Sequence, residues 1–153
     1  MVKIITAKDR THYSFIGKVL DKYIKPIYGN QEKQLRKIKK GEDRTCKILL
    51  ADKEVGLLIY KTELSEEYSN YSIYGALEIK TLIVVDPDKN SGRGYGSRLL
   101  QEAFDYAKSL NAESVVVTVS SRKPESLEFF QKKGFDQVTH FADKYIKEIQ
   151  NFS

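Results

Sequence analysis

Residues 76–100 read ALEIKTLIVVDPDKNSGRGYGSRLL, and the fold is legible from this stretch outward. Ala76 to Val85 is apolar along most of its length, the composition of a strand covered on both faces at the centre of a sheet. Asp86-Pro87-Asp88 ends it, because proline has no N–H to give to a ladder. Glycines at 92, 94 and 96 follow, and then Leu99, Leu100, Ala103, Phe104, Ala107 and Leu110 fall at helical spacing. Strand, glycine turn and helix in that order make an anion site. Glycines let the backbone point its N–H groups inward, and the helix N-terminus adds partial positive charge, together suited to a pyrophosphate. Two other phosphate motifs do not fit. A P-loop closes on Gly-Lys-Ser/Thr, where this chain has Gly96-Ser97-Arg98. A dinucleotide turn spaces its glycines G-x-G-x-x-G near the first strand, whereas these are spaced by two and lie past the middle of the chain.

Working outward, Val115 to Val119 is a β-branched strand, and Pro124 suits the first turn of a short helix over Glu125 to Lys132 that Gly134 stops. Phe135 to Phe141 and Lys144 to Ile149 are expected as two last strands. On the other side, Ile48 to Ala51, a turn at Asp52-Lys53 and Val55 to Tyr60 read as a β-hairpin. Glu63 to Gly75 is a polar loop. Before the hairpin, Val2 to Ile5 is an opening strand, and Phe15, Ile16, Val19, Leu20, Tyr23 and Ile24 form a helical face that Pro26 is expected to close. A second helix is expected from Asn30, a good N-cap, to just before Gly41.

The chain has 153 residues, a length that suits one domain over residues 1–153, with a formal charge of +5. A chain this long builds a core without disulfides or metals. Its single cysteine, Cys46, and two histidines leave almost nothing for a zinc cluster or a Cys-His nucleophile pair. No apolar run approaches the ~18 residues of a membrane span, and Met1 to Ile5 is too short for a signal-peptide core. A reducing, cytoplasmic setting and no membrane partner are expected.

From Glu78 to Phe135 the chain resembles the GNAT superfamily of N-acetyltransferases. The residues that carry the likeness are Val85-Asp86-Pro87, Gly94-Tyr95-Gly96 followed by Leu99-Leu100, and Phe129-Phe130-Gln131-Lys132-Lys133-Gly134-Phe135. The first half matches only in element order. The resemblance implies an α/β fold with a mixed, mostly antiparallel twisted sheet and helices on both faces. It also implies acetyl-CoA as cosubstrate, lying where the fourth and fifth strands part. On this likeness the pantetheine edge falls to Ile83 and Val85, and the pyrophosphate to Ser91, Gly92, Arg93, Gly94, Tyr95, Gly96 and Ser97. Lys123, Ser126 and Phe130 flank the thiol end, and Lys132 reaches the nucleotide phosphate. Several positions depart from the pattern. Ser91 stands where the family has Gln or Arg, Lys123 where it has Asn, and Ser126 where Ala is common. Phe130 stands where many members have the tyrosine that protonates the departing thiolate.

Glu78 interrupts the central strand near the position where the family often keeps an acid to deprotonate the amine, and a half-buried carboxylate is expected to have a raised pKa suited to that work. The plainer readings are an exposed strand-end residue or a partner of Lys80. Thr118 stands where other members carry a competing glutamate. Tyr68, Tyr71, Tyr74 and Tyr145 are the candidate replacements for the missing phenol, each also readable as a packing tyrosine. Charge is uneven: residues 25–47 hold eight basic against three acidic side chains, while residues 62–78 hold Glu63, Glu66, Glu67 and Glu78 and no Lys or Arg. The acidic loop favours a cationic amine on a small molecule, peptide or protein; the basic helix admits RNA as the lesser expectation. The expected activity is therefore acetyl transfer to a primary amine by direct attack. The alternatives are a non-catalytic acyl-CoA-binding or protein-binding module, and a toxin-type aminoacyl-tRNA acetyltransferase. A homodimer is admitted.

Overall fold

A computed structural model describes residues 2–66, 75–120, 122–138 and 143–149. The strands are β1 (Val2–Thr6), β2 (Thr45–Ala51), β3 (Lys53–Tyr60), β4 (Ala76–Val84), β5 (Ser114–Thr118), β6 (Asp136–Gln137) and β7 (Lys144–Glu148). The helices are α1 (Arg10–Val19), α2 (Lys25–Tyr28), α3 (Glu32–Lys40), α4 (Pro87–Asn90), α5 (Tyr95–Ser109) and α6 (Pro124–Lys132). The strands form one sheet in the order β1-β2-β3-β4-β5-β7-β6, antiparallel except between β4 and β5. That parallel pair is joined by the α5 crossover, as parallel strands require.

Both faces are covered. On one, α5 lays Leu99, Leu100, Ala103 and Ala107 against Leu58, Leu77, Ile79, Val115 and Val117. On the other, Ile16, Val19 and Leu20, with Ile38 of α3, pack on Ile48, Leu57 and Ile59. Alternate residues of β3 thus enter opposite cores, which accounts for its unbroken apolar run.

The first helical face outlasts its expected end. Leu20–Ile24 is a π-helical turn in which the Lys25 N–H donates to the Leu20 carbonyl, and the chain stays helical through Tyr28 before Gly29 turns away at φ 84°. Pro26 therefore does not close the helix. It sits in the first turn of α2, where the N–H it lacks is not needed. The Asn30 side chain accepts the Glu32 amide at 2.7 Å, and Gly41 ends α3 in the left-handed region. Of the strand expected from Phe135 to Phe141, Asp136–Gln137 form β6; Phe135 is itself buried and donates its N–H to the Phe130 carbonyl at the end of α6, and residues 139–141 lie outside the described residues. Among the described residues no helix is long and apolar enough to cross a membrane.

The sheet opens at its centre. β4 pairs with β5 only from Ala76 to Ile79, against Ser114 to Val117, while its pairing with β3 runs on to Val84. The β3–β4 register also slips: Tyr60 faces Ile79 and Ile59 faces Thr81, so Lys80 is an extra, bulged residue. A bulge re-aims side chains and sharpens twist, and this one falls where β4 leaves β5.

Candidate active site

Two cavities flank β4 beyond the bulge. The first, of about 460 Å³, is a groove between the β4 end, the glycine turn and α6, lined by Leu82, Ile83 and Val84 with Ser91, Gly92, Gly94 to Ser97, Lys123, Ser126, Phe129 and Phe130. The turn is built by backbone conformation. Gly92 and Gly94 have φ of 77° and 79°, and α5 begins at Tyr95 with no side-chain cap. The first intrahelical bond runs from Arg98 N–H to the Gly94 carbonyl, so the amides of Tyr95, Gly96 and Ser97 have no partner in the helix ladder, as at any helix start. Gly96 serves packing instead: a Cβ there would stand 3.2 Å from the Phe129 ring.

Three of the residues expected in this groove do not line it. Arg93 is exposed and its Nε donates to the Lys89 carbonyl. Lys132 is exposed and pairs with Glu128 at 2.9 Å. Val85 is buried in the opposite core, and its N–H donates to the Val55 carbonyl at 2.9 Å. That bond also sets the strand's orientation. In an antiparallel pair hydrogen-bonded residues alternate, so with Leu57 opposite Ile83 and Gly56 opposite Val84, the peptide groups of Ile83 and the N–H of Val85 turn toward β3, while the Val85 carbonyl accepts the Asn90 side chain at 2.7 Å. The peptide groups of Leu82 and Val84 face the open side. The polar edge offered to a ligand is thus displaced by one residue from the expected Ile83 and Val85.

The second cavity, of about 400 Å³, lies between the α2–α3 segment and the diverging β4 and β5; its walls include Tyr28, Gln34, Lys33, Lys37, Arg44, Lys80, Thr81, Thr118 and Lys144. Thr81 lines this pocket and Leu82 the groove, so the two cavities adjoin along β4.

Glu78 lies just behind the bulge and is only 2% exposed. Its carboxylate meets Lys61 at 3.3 Å, Lys80 at 3.4 Å and Lys144 at 3.9 Å. Burial by itself would raise its pKa, but the Lys80, Lys61 and Lys144 ammonium groups outweigh it and hold the carboxyl below its ordinary range. The expected rise is therefore reversed, because the sequence does not show three lysines from three strand regions meeting one carboxylate. Lys80 is pushed down by burial; Glu78 pulls it up, and Arg44 and Lys61 push it further down.

Phe130 packs edge-on against Phe129 and Phe135, with centroids 5.1 and 5.2 Å away, so it is both groove wall and core. Tyr145 is buried beside Val117 in the α5-side core and lines neither cavity. Tyr68, Tyr71, Tyr74, Glu67 and His140 lie outside the described residues, and Glu66 is exposed away from the pocket walls. Two other tyrosines do reach the cavities. Tyr23 lines the groove, its oxygen accepting the Asp86 N–H at 3.0 Å. Tyr28 lines the pocket and accepts the Ser120 N–H at 2.9 Å. They tie the helical segment to the far ends of β4 and β5, and each keeps its O–H to donate. In the sequence they look like members of an amphipathic helical face, so only the packing distinguishes them.

Sheet order, central opening and glycine turn define an acetyltransferase fold. Residues 30–135 match the acetyltransferase (GNAT) family, and the chain belongs to that family. Arabidopsis thaliana NAA60 in complex with a bisubstrate analogue has a similar structure, with a TM-score of 0.78 at 14% identity over 97% of this chain and 98% of that one. The same protein in complex with acetyl-CoA gives 0.76 at 13%, over 97% and 99%. A GNAT-family acetyltransferase from Staphylococcus aureus Mu50 gives 0.75 at 14%, over 98% and 100%. At these identities the likeness concerns the fold. No curated protein matches by sequence.

Proposed function

We propose that this protein transfers the acetyl group of acetyl-CoA to the amine of an acceptor held in the second cavity. The observation that supports it most directly is the adjacency of the two cavities along β4, one with free helix-start amides for phosphates and the other open to an acceptor. In this reading the Tyr95, Gly96 and Ser97 amides hold the pyrophosphate. The Leu82 and Val84 peptide groups pair with the pantetheine. Acetyl-CoA supplies a thioester carbonyl, which the Leu82 N–H, the first past the bulge to face the opening, is set to polarise as an oxyanion site does.

Direct attack requires a neutral amine. Glu78 lines neither cavity, whereas Lys80, which touches it, lines the acceptor pocket. Lys80 Nζ, shifted toward its neutral form, takes the proton from the acceptor ammonium, and Glu78 stabilises the lysine ammonium so formed. Glu78 thus acts on the proton through Lys80 as a positioning residue. The amine nitrogen bonds to the carbonyl carbon and loses its remaining extra proton to water. The C–S bond breaks, and water protonates the thiolate. A CoA thiol with pKa of about 8.5, like that of cysteine, is a tolerable leaving group without a phenol.

The test is a thiol-release assay with acetyl-CoA over amines, amino acids, peptides and charged tRNA, with product mass confirming an added acetyl group. Transfer to at least one amine is expected. Acetyl-CoA that binds without thiol release on any acceptor would favour a non-catalytic acyl-CoA module instead.

A further inference from the structure

We infer that the acceptor is a small amine that also carries a carboxylate or phosphate group, which the second cavity seats against Arg44. This rests on the acetyl-transfer reading above and names the class of its substrate.

The pocket walls carry Lys33 and Lys37 of α3, Arg44, Lys80 and Lys144, and among the described residues no carboxylate lines them. The anions that serve these cations stand behind them. Asp43 meets Arg44 at 2.8 Å and Lys37 at 4.0 Å, and Glu78 meets Lys80, Lys144 and Lys61. Even with Lys80 neutral as the proton acceptor, Lys33, Lys37, Arg44, Lys61 and Lys144 outnumber these two carboxylates, and the excess positive charge is turned to the cavity. A lysine-rich or polyamine acceptor would meet like charge from these walls.

Buried polar atoms point the same way. The Arg44 side chain is 9% exposed, and its Nη1 is committed to Asp43. Its Nε is buried with no hydrogen-bond partner. Thr81 is 4% exposed, and its hydroxyl oxygen is likewise buried and unpartnered. Both residues line this pocket. A buried polar atom without a partner is unfavourable, and a guanidinium edge is a fork shaped for a planar carboxylate or a phosphate. An anionic ligand group seated against the Arg44 guanidinium would offset the surplus charge.

The cations serve the nucleophile as well. An amine entering a positive site has its ammonium form disfavoured, which lowers its pKa and raises the neutral fraction that can attack. The anionic group supplies the binding that the amine itself would lose. Size selects a small molecule over RNA: about 400 Å³ is at the lower end of metabolite-sized sites, and Arg36, Lys39 and Lys40 of the same helix do not line it.

The experiment compares matched acceptors that differ only in the anion: amino acids against their decarboxylated amines, and O-phosphoethanolamine against ethanolamine. The two arms separate carboxylate from phosphate. The anionic member of the preferred pair should have at least about tenfold higher kcat/KM. Arg44→Gln should collapse that ratio, and Lys33→Gln with Lys37→Gln should reduce it. Both variants should keep the thermal stabilisation by acetyl-CoA, which shows them folded. Equal or better use of the anion-free partner, an unchanged ratio in Arg44→Gln, or transfer confined to polyamines, lysine peptides or charged tRNA overturns the proposal. Citrate and inorganic phosphate, compared with sodium chloride at equal ionic strength, give a readout that needs no turnover. They should stabilise the wild type more than Arg44→Gln, and equal or absent shifts overturn the proposal. Failure of the acetyl-transfer reading looks different: no thermal shift with acetyl-CoA and no thiol release with any amine.

Discussion

At the Glu78 carboxylate, burial and three ammonium groups pull in opposite directions, and the ammonium groups win. Because its pKa is depressed on folding, its contribution to stability is complete above the ordinary carboxylate pKa and is lost as pH falls through the folded value. Glu78→Gln leaves Lys61, Lys80 and Lys144 without their shared anion. These lysines are partly exposed, so the cost should fall below the ~3–5 kcal/mol of a fully buried pair, at about 2 kcal/mol. That corresponds to a melting temperature lower by roughly 6 °C at neutral pH for a chain of this length. The gap should shrink as pH falls below the ordinary carboxylate range and through the depressed folded pKa; an undiminished gap in thermal melts across pH would refute the ion-pair account. Lys80 gives a kinetic signature. Lys80→Met should lower kcat/KM by about 10²-fold, the scale of a positioned proton acceptor. Glu78→Gln removes the influence that raises the Lys80 pKa, so the acidic limb of the kcat/KM profile should move to lower pH and persist. Disappearance of the limb would make Glu78 itself the base. Cys46 is buried, and burial pushes its thiol pKa far up. It should resist thiol reagents until the protein unfolds, leaving released CoA thiol as the signal; rapid labelling of native protein would contradict this.

Along the strand–turn–helix element, Gly94 and Gly96 do different work. Gly94 is in the left-handed region with open space around its Cβ position, whereas Gly96 is held by contact with Phe129. Gly94→Val should cost on the order of 1–2 kcal/mol in backbone strain and weaken the acetyl-CoA thermal shift by distorting the amides of the turn. Gly96→Val should act through α6, costing roughly 1–3 kcal/mol by overpacking. A Gly96→Val, Phe129→Ala double variant should recover part of that stability, whereas the Phe129→Ala change should not rescue Gly94→Val. Additive double-mutant melts for Gly96 and Phe129 would show that the contact is not the cause.

Across the whole molecule, the opening between β4 and β5 is held by tyrosines as well as strands. Tyr23 reaches the Asp86 amide at the β4 end and Tyr28 the Ser120 amide beyond β5. A ligand lying in the opening binds the folded chain alone, so acetyl-CoA at a hundredfold excess over its Kd should add about 2.7 kcal/mol of stability. The Tyr23→Phe, Tyr28→Phe double variant should lose part of this gain while keeping the fold, as judged by far-UV circular dichroism and calorimetry. A ligand-induced shift unchanged from the wild type would mean that the two phenols do not shape the site.

By itself the sequence determined the element order, the central strand and the glycine turn, because these are written in local periodicity, proline and glycine. The apolar run of Ala76 to Val84 can only be a covered strand, and Gly92-Arg93-Gly94 can only be a turn. The Phe-Phe segment of α6 and the Leu99-Leu100 face likewise announce their packing. What only the tertiary structure decided are the relations between segments distant in the chain. A bulge depends on register with β3 and places Lys80; nothing local in Ile79-Lys80-Thr81 marks it. Which peptide groups of β4 face outward depends on that same register. Neither the π-helical turn that carries the chain past Pro26 nor the contacts of Tyr23 and Tyr28 with the Asp86 and Ser120 amides are marked in the local sequence. The charge of the second cavity depends on α3, the segment before β2, β4 and β7 converging in space. Charge counts along the chain do not show this, because electrostatic energy follows distance in space, and Arg44 and the lysines are distant in sequence.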